Sequence, residues 1–293
     1  PMDILLALGG GGSKGNAHIG VIRVLEREGY RIRAVAGTSA GGMAAAAYAA
    51  GHSADQLEAF MSQLDQRSLF SFHFGDAPAL MGISGVKKAL TDLLEERTFE
   101  DLKIPCALTS VDLDSGQELV LKEGRVLDAV LATIALPGIF PPKKWGGHLL
   151  VDGGVLDPVP VSVVRAVSPL PSLPVVAVSL TSAPTGRLNL PALGPKAAEA
   201  ILTRITRLKV AQAFEIFLHS LEIGASAITE LRLAMEKPEV IVRPKVGQIG
   251  YLDQVNVSEV VKLGESAMEA ALPDLRQALT LRSRFSRWWN QPR

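Results

Sequence analysis

The sequence has a single cysteine, Cys106, few aromatic residues (5%) and no surplus of charge of either sign. One cysteine excludes an intrachain disulfide and suits a reducing compartment. Following Pro105 in an apolar run, Cys106 reads as a small buried residue. Lys+Arg and Asp+Glu number 30 each, so there is no overall electrostatic footprint for nucleic acid and no such partner is expected. Long hydrophobic runs are missing as well. The stretch 34–51 is mostly Ala and Gly, carries Thr38 and Ser39 and holds no Leu or Ile, which rules it out as a membrane span. Met2 reads as the natural start, and no basic segment precedes an apolar one there. A secretory leader is therefore not expected, and a cytoplasmic location is. No internal repeat and no linker-like stretch divides the chain, so one domain over residues 1–293 is expected.

What is present favours a compact α/β fold. At 293 residues and 47% hydrophobic content the chain can bury a large core. Ile4 to Leu8 is a short unbroken apolar run ending in glycines, as a buried parallel strand should be. Ile19, Val21, Ile22, Val24 and Leu25 follow at helical spacing, and Gly29 suits a helix C-terminus. Ile32 to Ala36 reads as a second strand, and Gly41 to Ala50 as a second helix stopped by Gly51. This alternation is the signature of a sheet with helices on both faces.

Further strands are expected at Pro105 to Val111, Glu118 to Leu121, Leu149 to Val151, Val175 to Leu180 and Val240 to Val242. Val126 to Ile134 reads as a helix, and Thr181 to Pro195 as a loop. Beyond it lies a helical portion, about 195–281. There Val210, Phe214, Phe217, Leu221, Ile228, Leu231 and Met235 share one face that is expected to pack against the core. A last helix runs from Val257 to about Leu272, with a resumption after Pro273. Leu69 to Ser84, rich in Phe, Gly and Met, fits a lid or core packing equally.

Three constellations carry chemistry. Gly37-Thr38-Ser39-Ala40-Gly41 is a G-x-S-x-G pattern between an expected strand and an expected helix. Glycines suit a turn too tight for side chains, and such a turn presents the serine at the strand's end beside a helix N-terminus. The second, Gly9-Gly10-Gly11-Gly12-Ser13-Lys14-Gly15, follows the first strand. Four consecutive glycines cost conformational entropy, which close backbone approach to an anion or a developing oxyanion would offset. Gly10, Gly12 and Gly15 also satisfy G-x-G-x-x-G, but a dinucleotide site needs an acidic residue ending the second strand. That strand offers Arg33 and then Gly37-Thr38-Ser39, so a nucleotide-binding oxidoreductase is disfavoured. A P-loop needs Lys followed by Ser or Thr, whereas Gly15 follows Lys14. The third constellation is Val151-Asp152-Gly153-Gly154, an aspartate leaving an apolar strand into a turn.

A serine nucleophile needs a base, and Asp152 sits at a strand end as Ser39 does. Of the five histidines, His18, His52, His73 and His219 have no distinctive setting, while His148, four residues from Asp152, stands as the alternative base. No cluster of metal-ligating residues is visible, so neither metal nor cofactor is expected, and activity should be independent of calcium.

Together these residues resemble the patatin-like phospholipase family. Its glycine-rich G-G-G-x-K/R-G loop is similar to Gly10-Gly11-Gly12-Ser13-Lys14-Gly15, its elbow to Gly37-Thr38-Ser39-Ala40-Gly41 and its D-G-G/A element to Asp152-Gly153-Gly154. The flanks 135–142 and 155–160 resemble the bacterial branch related to neuropathy target esterase. The motifs cover about residues 4 to 165. The resemblance implies a three-layer α/β/α patatin-like fold with a mainly parallel central sheet. It also implies hydrolysis of fatty-acyl esters, with (lyso)phospholipids as the expected substrates. Ser39 carries over as nucleophile, Asp152 as base, and the backbone amides of Gly11 and Gly12 as oxyanion donors. One departure is Asp157, where many relatives have Asn. The rival from another class is a non-catalytic lipid- or acyl-binding protein that keeps the pocket. The tail, residues 281–293, has four arginines, no acidic residue and two of the three tryptophans, a composition suited to peripheral membrane contact.

Overall fold

The computed structural model describes residues 2–64, 84–181 and 202–280, with the side chains of the last stretch described from residue 216 onward. Nearly all of the 69–84 stretch, the 181–195 loop beyond Thr181, the side chains of Val210 and Phe214, and the basic aromatic tail lie outside the described residues. Among the described residues no helix is long and apolar enough to cross a membrane.

An eight-stranded sheet forms the frame. Its strands are β1 (Met2–Leu8), β2 (Tyr30–Thr38), β3 (Cys106–Asp112), β4 (Glu118–Leu121), β5 (Lys143–Trp145), β6 (His148–Asp152), β7 (Val175–Val178) and β8 (Val240–Val242). They lie in the order β5-β6-β3-β2-β1-β7-β8, with β4 paired to β3 off that path. The central pairs β2–β3, β1–β2, β1–β7 and β7–β8 are parallel. Antiparallel pairs occur where the β5–β6 hairpin lies against β3 and where β4 folds back on β3.

The helices are α1 (Ala17–Arg27), α2 (Ala40–Ala49), α3 (Ala54–Gln63), α4 (Ser84–Leu94), α5 (Val126–Thr133), α6 (Val161–Val167), α7 (Leu202–Glu236) and α8 (Val257–Ala278). The twofold alternation of β1 divides the core into two layers. Ile4, Leu6 and Leu8 join a large cluster with residues of α1, α2, α4, α5 and α8. Leu5 and Ala7 turn to the other face, against Val161, Val163 and Val164 of α6 and Leu233 of α7. The arrangement is the expected α/β/α sandwich.

Two expectations need correction. The last helix does not pause at Pro273 but runs unbroken from Val257 to Ala278. Proline removes one backbone donor, yet Met268, Ala271, Leu272 and Leu275 are buried on both sides of it, so packing holds the helix through the lost bond. The apolar face of α7 is not the buried one near its end. Leu231 and Met235 are 67% and 79% exposed, whereas Leu233 and Thr229 are buried. Helical spacing defines a face but not what covers it.

Candidate active site

The site forms where β2, β3 and β6 meet the glycine-rich turn after β1. Register puts its parts at one level, since Thr38 pairs with Thr109 in β3, and the next residue of that strand, Ser110, pairs with Asp152.

Ser39 follows β2 and is the N-cap of α2, with φ 55° and ψ −124°. A positive φ at a non-glycine residue costs on the order of 1–3 kcal/mol and persists only when its surroundings impose it. Here the imposition is backbone against backbone. A Cβ at Gly37 would lie 2.2 Å from the carbonyl oxygen of Gly41, and one at Gly41 2.2 Å from that of Leu8. The Ser39 N–H donates to Thr133 Oγ1 at 2.9 Å, and the Thr38 hydroxyl donates to the Asp157 carbonyl at 2.8 Å.

The glycine loop passes directly beside the serine, because a Cβ at Gly10 would come within 3.3 Å of Ser39 Cβ. Gly10 N–H donates to Pro158 O at 3.0 Å and Ser13 N–H to Tyr251 O at 2.9 Å. The intervening N–H groups of Gly11 and Gly12 have no acceptor among the described residues. Gly12 has φ +56° and lies so close to Tyr251 that a Cβ would be 2.2 Å from its carbonyl oxygen. Beneath the loop, the buried His18 donates from Nε2 to Gly9 O at 2.7 Å. Burial lowers the pKa of this imidazole to about 4, so it is a neutral prop for the loop. Lys14 does not face the cleft as an exposed cation. It is 1% exposed, ion-paired with Glu222 of α7 and 5.2 Å from the centre of the Tyr251 ring. Lys14 thus ties the loop to α7.

Asp152 ends β6 and is 3% exposed. Its Oδ1 accepts from Gly154 N–H at 2.8 Å. Gly153 crosses so near β3 that a Cβ would fall 2.3 Å from Thr109 Oγ1. Burial raises the Asp152 pKa to about 6, with hydrogen bonding from Ser39 and Gly154 opposing it. An acid that holds its proton more tightly folded than unfolded carries its full penalty above the folded pKa and none below the unfolded one. Asp152→Asn should therefore be more stable than the parent above pH 6, by on the order of 2–3 kcal/mol. The two should converge below about pH 4, which thermal unfolding across that range would show.

The structure brings Ser39, Asp152 and the glycine loop together and leaves His148 apart. His148 opens β6, and its Nδ1 lies 3.1 Å from Oδ2 of Asp112. Ser115 first, and then His148, hold the Asp112 carboxyl well below the usual range. His52 bonds Leu93 O at 2.8 Å. Among the described residues no histidine hydrogen-bonds Ser39 or Asp152. Asp157, fully buried, has Arg232 Nη2 at 3.0 Å, but without hydrogen-bond alignment to either carboxylate oxygen. Burial first, then Glu118 and Glu236, raise its pKa against the pull of Arg232. Tyr251, Thr133, Glu222 and His18 carried no signal in the sequence as site residues.

Such a site places the chain among three-layer α/β/α proteins that hold a strained serine and a buried aspartate against a glycine loop. The pattern of the family described as patatin-like phospholipase matches residues 6–165. The chain belongs to the patatin-like phospholipase family. It is similar to an uncharacterized NTE family protein of Mycobacterium tuberculosis, 35% identical over 168 residues, or 56% of this chain and 46% of the relative. A second uncharacterized NTE family protein of that organism is 31% identical over 280 residues, or 92% of this chain and 47% of the relative. The chain thus spans about half the length of these relatives. Among solved structures, VipD from Legionella pneumophila shares the fold, with a TM-score of 0.59 over 94% of this chain and 67% of that one, at 14% identity.

Proposed function

We propose that this protein is a serine acyl hydrolase that cleaves fatty-acyl esters, (lyso)phospholipids among them, through Ser39 and Asp152. The observation that carries the reading is a strained serine beside a buried carboxylate of raised pKa and against a glycine loop with two N–H groups that have no acceptor among the described residues. Membership of a phospholipase family supports lipid as the substrate class.

In this mechanism Asp152 takes the proton of the Ser39 hydroxyl as Oγ attacks the ester carbonyl. The carbonyl electrons move onto oxygen, where Gly11 and Gly12 N–H donate to the anion. One such donor is typically worth about 10² to 10³ in rate. The intermediate collapses, the carbon–oxygen bond to the alcohol breaks, and Asp152 returns the proton to the leaving oxygen. Water then attacks the acyl-enzyme with Asp152 again accepting a proton, the bond from the acyl carbon to Oγ breaks, and Asp152 passes that proton to Ser39 Oγ as the carboxylic acid leaves. Burial strengthens a carboxylate that would otherwise be a poor base.

Turnover of p-nitrophenyl butyrate tests the proposal. The base must be ionised, so kcat/KM should be level above about pH 6 and fall about tenfold per pH unit below it. A protein that binds acyl lipids without cleaving them would release no nitrophenol at any pH, and that result would refute the hydrolase reading.

A further inference from the structure

Two apolar cavities diverge from Ser39. Both are lined by Ser39, Leu136 and Tyr251, and beyond those three residues their walls are different. The first, about 160 Å³, runs past Gly12 and Ala40 under α2 toward Met43, Ala44, Phe60 and Leu90. The second, about 280 Å³, is bounded by Gly10, Gly11, Asp152 and Gly154, and by Val155, Leu221 and Ile228.

The position of the carboxylate distinguishes them. An alcohol leaves an ester only as its oxygen receives a proton, and the group that gives it must be within hydrogen-bond reach of that oxygen. Asp152 lines the second cavity and not the first. If Asp152 acts as proposed above, the alcohol side of the scissile bond must face the second cavity, which leaves the first for the acyl chain. The described walls of the second cavity are also ill suited to a phosphate headgroup. Among the described residues lining it there is no Lys or Arg, and the nearby Lys14 is neutralised by Glu222. Phe217, Leu218 and Ala225 continue its apolar wall.

We propose that the cavity beside Asp152 is an alcohol-side hydrocarbon site, so that the preferred substrates are esters carrying an apolar chain on both sides of the scissile carbonyl. This rests on the hydrolase reading and adds the substrate class. The chemistry is met by a long-chain alcohol ester or by a glycerol that still bears a second acyl chain. A lipid with a single chain and a polar alcohol, such as a lysophospholipid, would fill only the first cavity and should be the slower substrate. The carbonyl would sit at Ser39, where the two cavities join, with one chain in each.

Gly224 gives the means to test this. It lies on α7 in the second cavity, and a Cβ there would meet nothing within 4 Å, so a large side chain enters space rather than backbone. Two series of esters would be compared by kcat/KM, octanoates of methanol, butanol and octanol, and octyl esters of acetate, butyrate and octanoate. A further pair, 1-octanoylglycerol against 1,2-dioctanoylglycerol, separates the two sources of an alcohol-side chain. The unmodified protein should favour octyl over methyl octanoate at least tenfold, since hydrophobic pockets discriminate by about ten- to two-hundredfold per methylene at most. Gly224→Phe should erase that preference and leave the optimum acyl length where it was. Ala44→Phe, in the first cavity, should do the reverse. Ser220→Leu, at an exposed position on the same wall, serves as a second obstruction should Gly224→Phe fold poorly.

Equal rates for methyl and octyl octanoate, or a shift of acyl preference by Gly224→Phe, would overturn the assignment while leaving the hydrolase standing. Absence of turnover by the unmodified protein on every ester, with no fluorophosphonate adduct on Ser39, would overturn the hydrolase and this assignment together.

Discussion

Ser39→Ala is expected to abolish ester turnover and covalent labelling by a fluorophosphonate probe. Loss of a nucleophile removes the acyl-enzyme route altogether, and comparable losses are on the order of 10⁶ in kcat. The fold should be unaffected. Ser39 owes its φ of 55° to the glycines around it, and alanine bears the same Cβ in the same strained position. The bond from its backbone N–H to Thr133 Oγ1 does not use the side chain. Mass spectrometry of the labelled protein should find the adduct on the peptide containing Ser39, and only in the parent. An alanine variant that hydrolyses esters at the parental rate would rule out Ser39 as nucleophile.

Asp152→Asn should lower kcat/KM by about 10² to 10⁴, the usual range for a positioned acid or base. An amide has the shape of the carboxylate and can still accept from Gly154 N–H, but it cannot take up the serine proton. The variant should also be more stable than the parent at pH 7–8 for the reason given by its burial, so unfolding cannot account for the loss. His148→Ala provides the contrast. Its partner is Asp112, at 3.1 Å, and the variant should retain activity within about tenfold, which is roughly 1.4 kcal/mol of barrier. A folded His148→Ala protein as inactive as Ser39→Ala would require a histidine base.

Much of the fold was legible because its signals are local. The unbroken run Ile4 to Leu8 became β1, and Glu118 to Leu121 and Val240 to Val242 became β4 and β8 at the expected residues. What escaped were the helices α3 and α4, for which no expectation was drawn, and several short or weakly patterned pieces. The helix Val161–Val167 follows Pro160 as a run of valines, a composition that resembles a strand. The three-residue β5 is visible only through its pairing with β6. On α7, periodicity located an apolar stripe, but which part of it was covered depended on how the helix meets the sheet.

The sequence by itself determined the elements that bring the chemistry: a serine between glycines after a strand, a glycine run after another, and an aspartate leading into Gly153-Gly154. Each is set within a few residues, because tight turns and close backbone approach select glycine whatever lies elsewhere in the chain. Tertiary structure decided how those elements are used. It placed Asp152 beside Ser39 across β3 and buried it, raising its pKa to about 6. It also turned Lys14 away from the cleft onto Glu222, 208 positions distant, and brought Tyr251 over the glycine loop. Desolvation, ion pairing and cavity walls arise from groups far apart in the chain, so no local pattern could encode them.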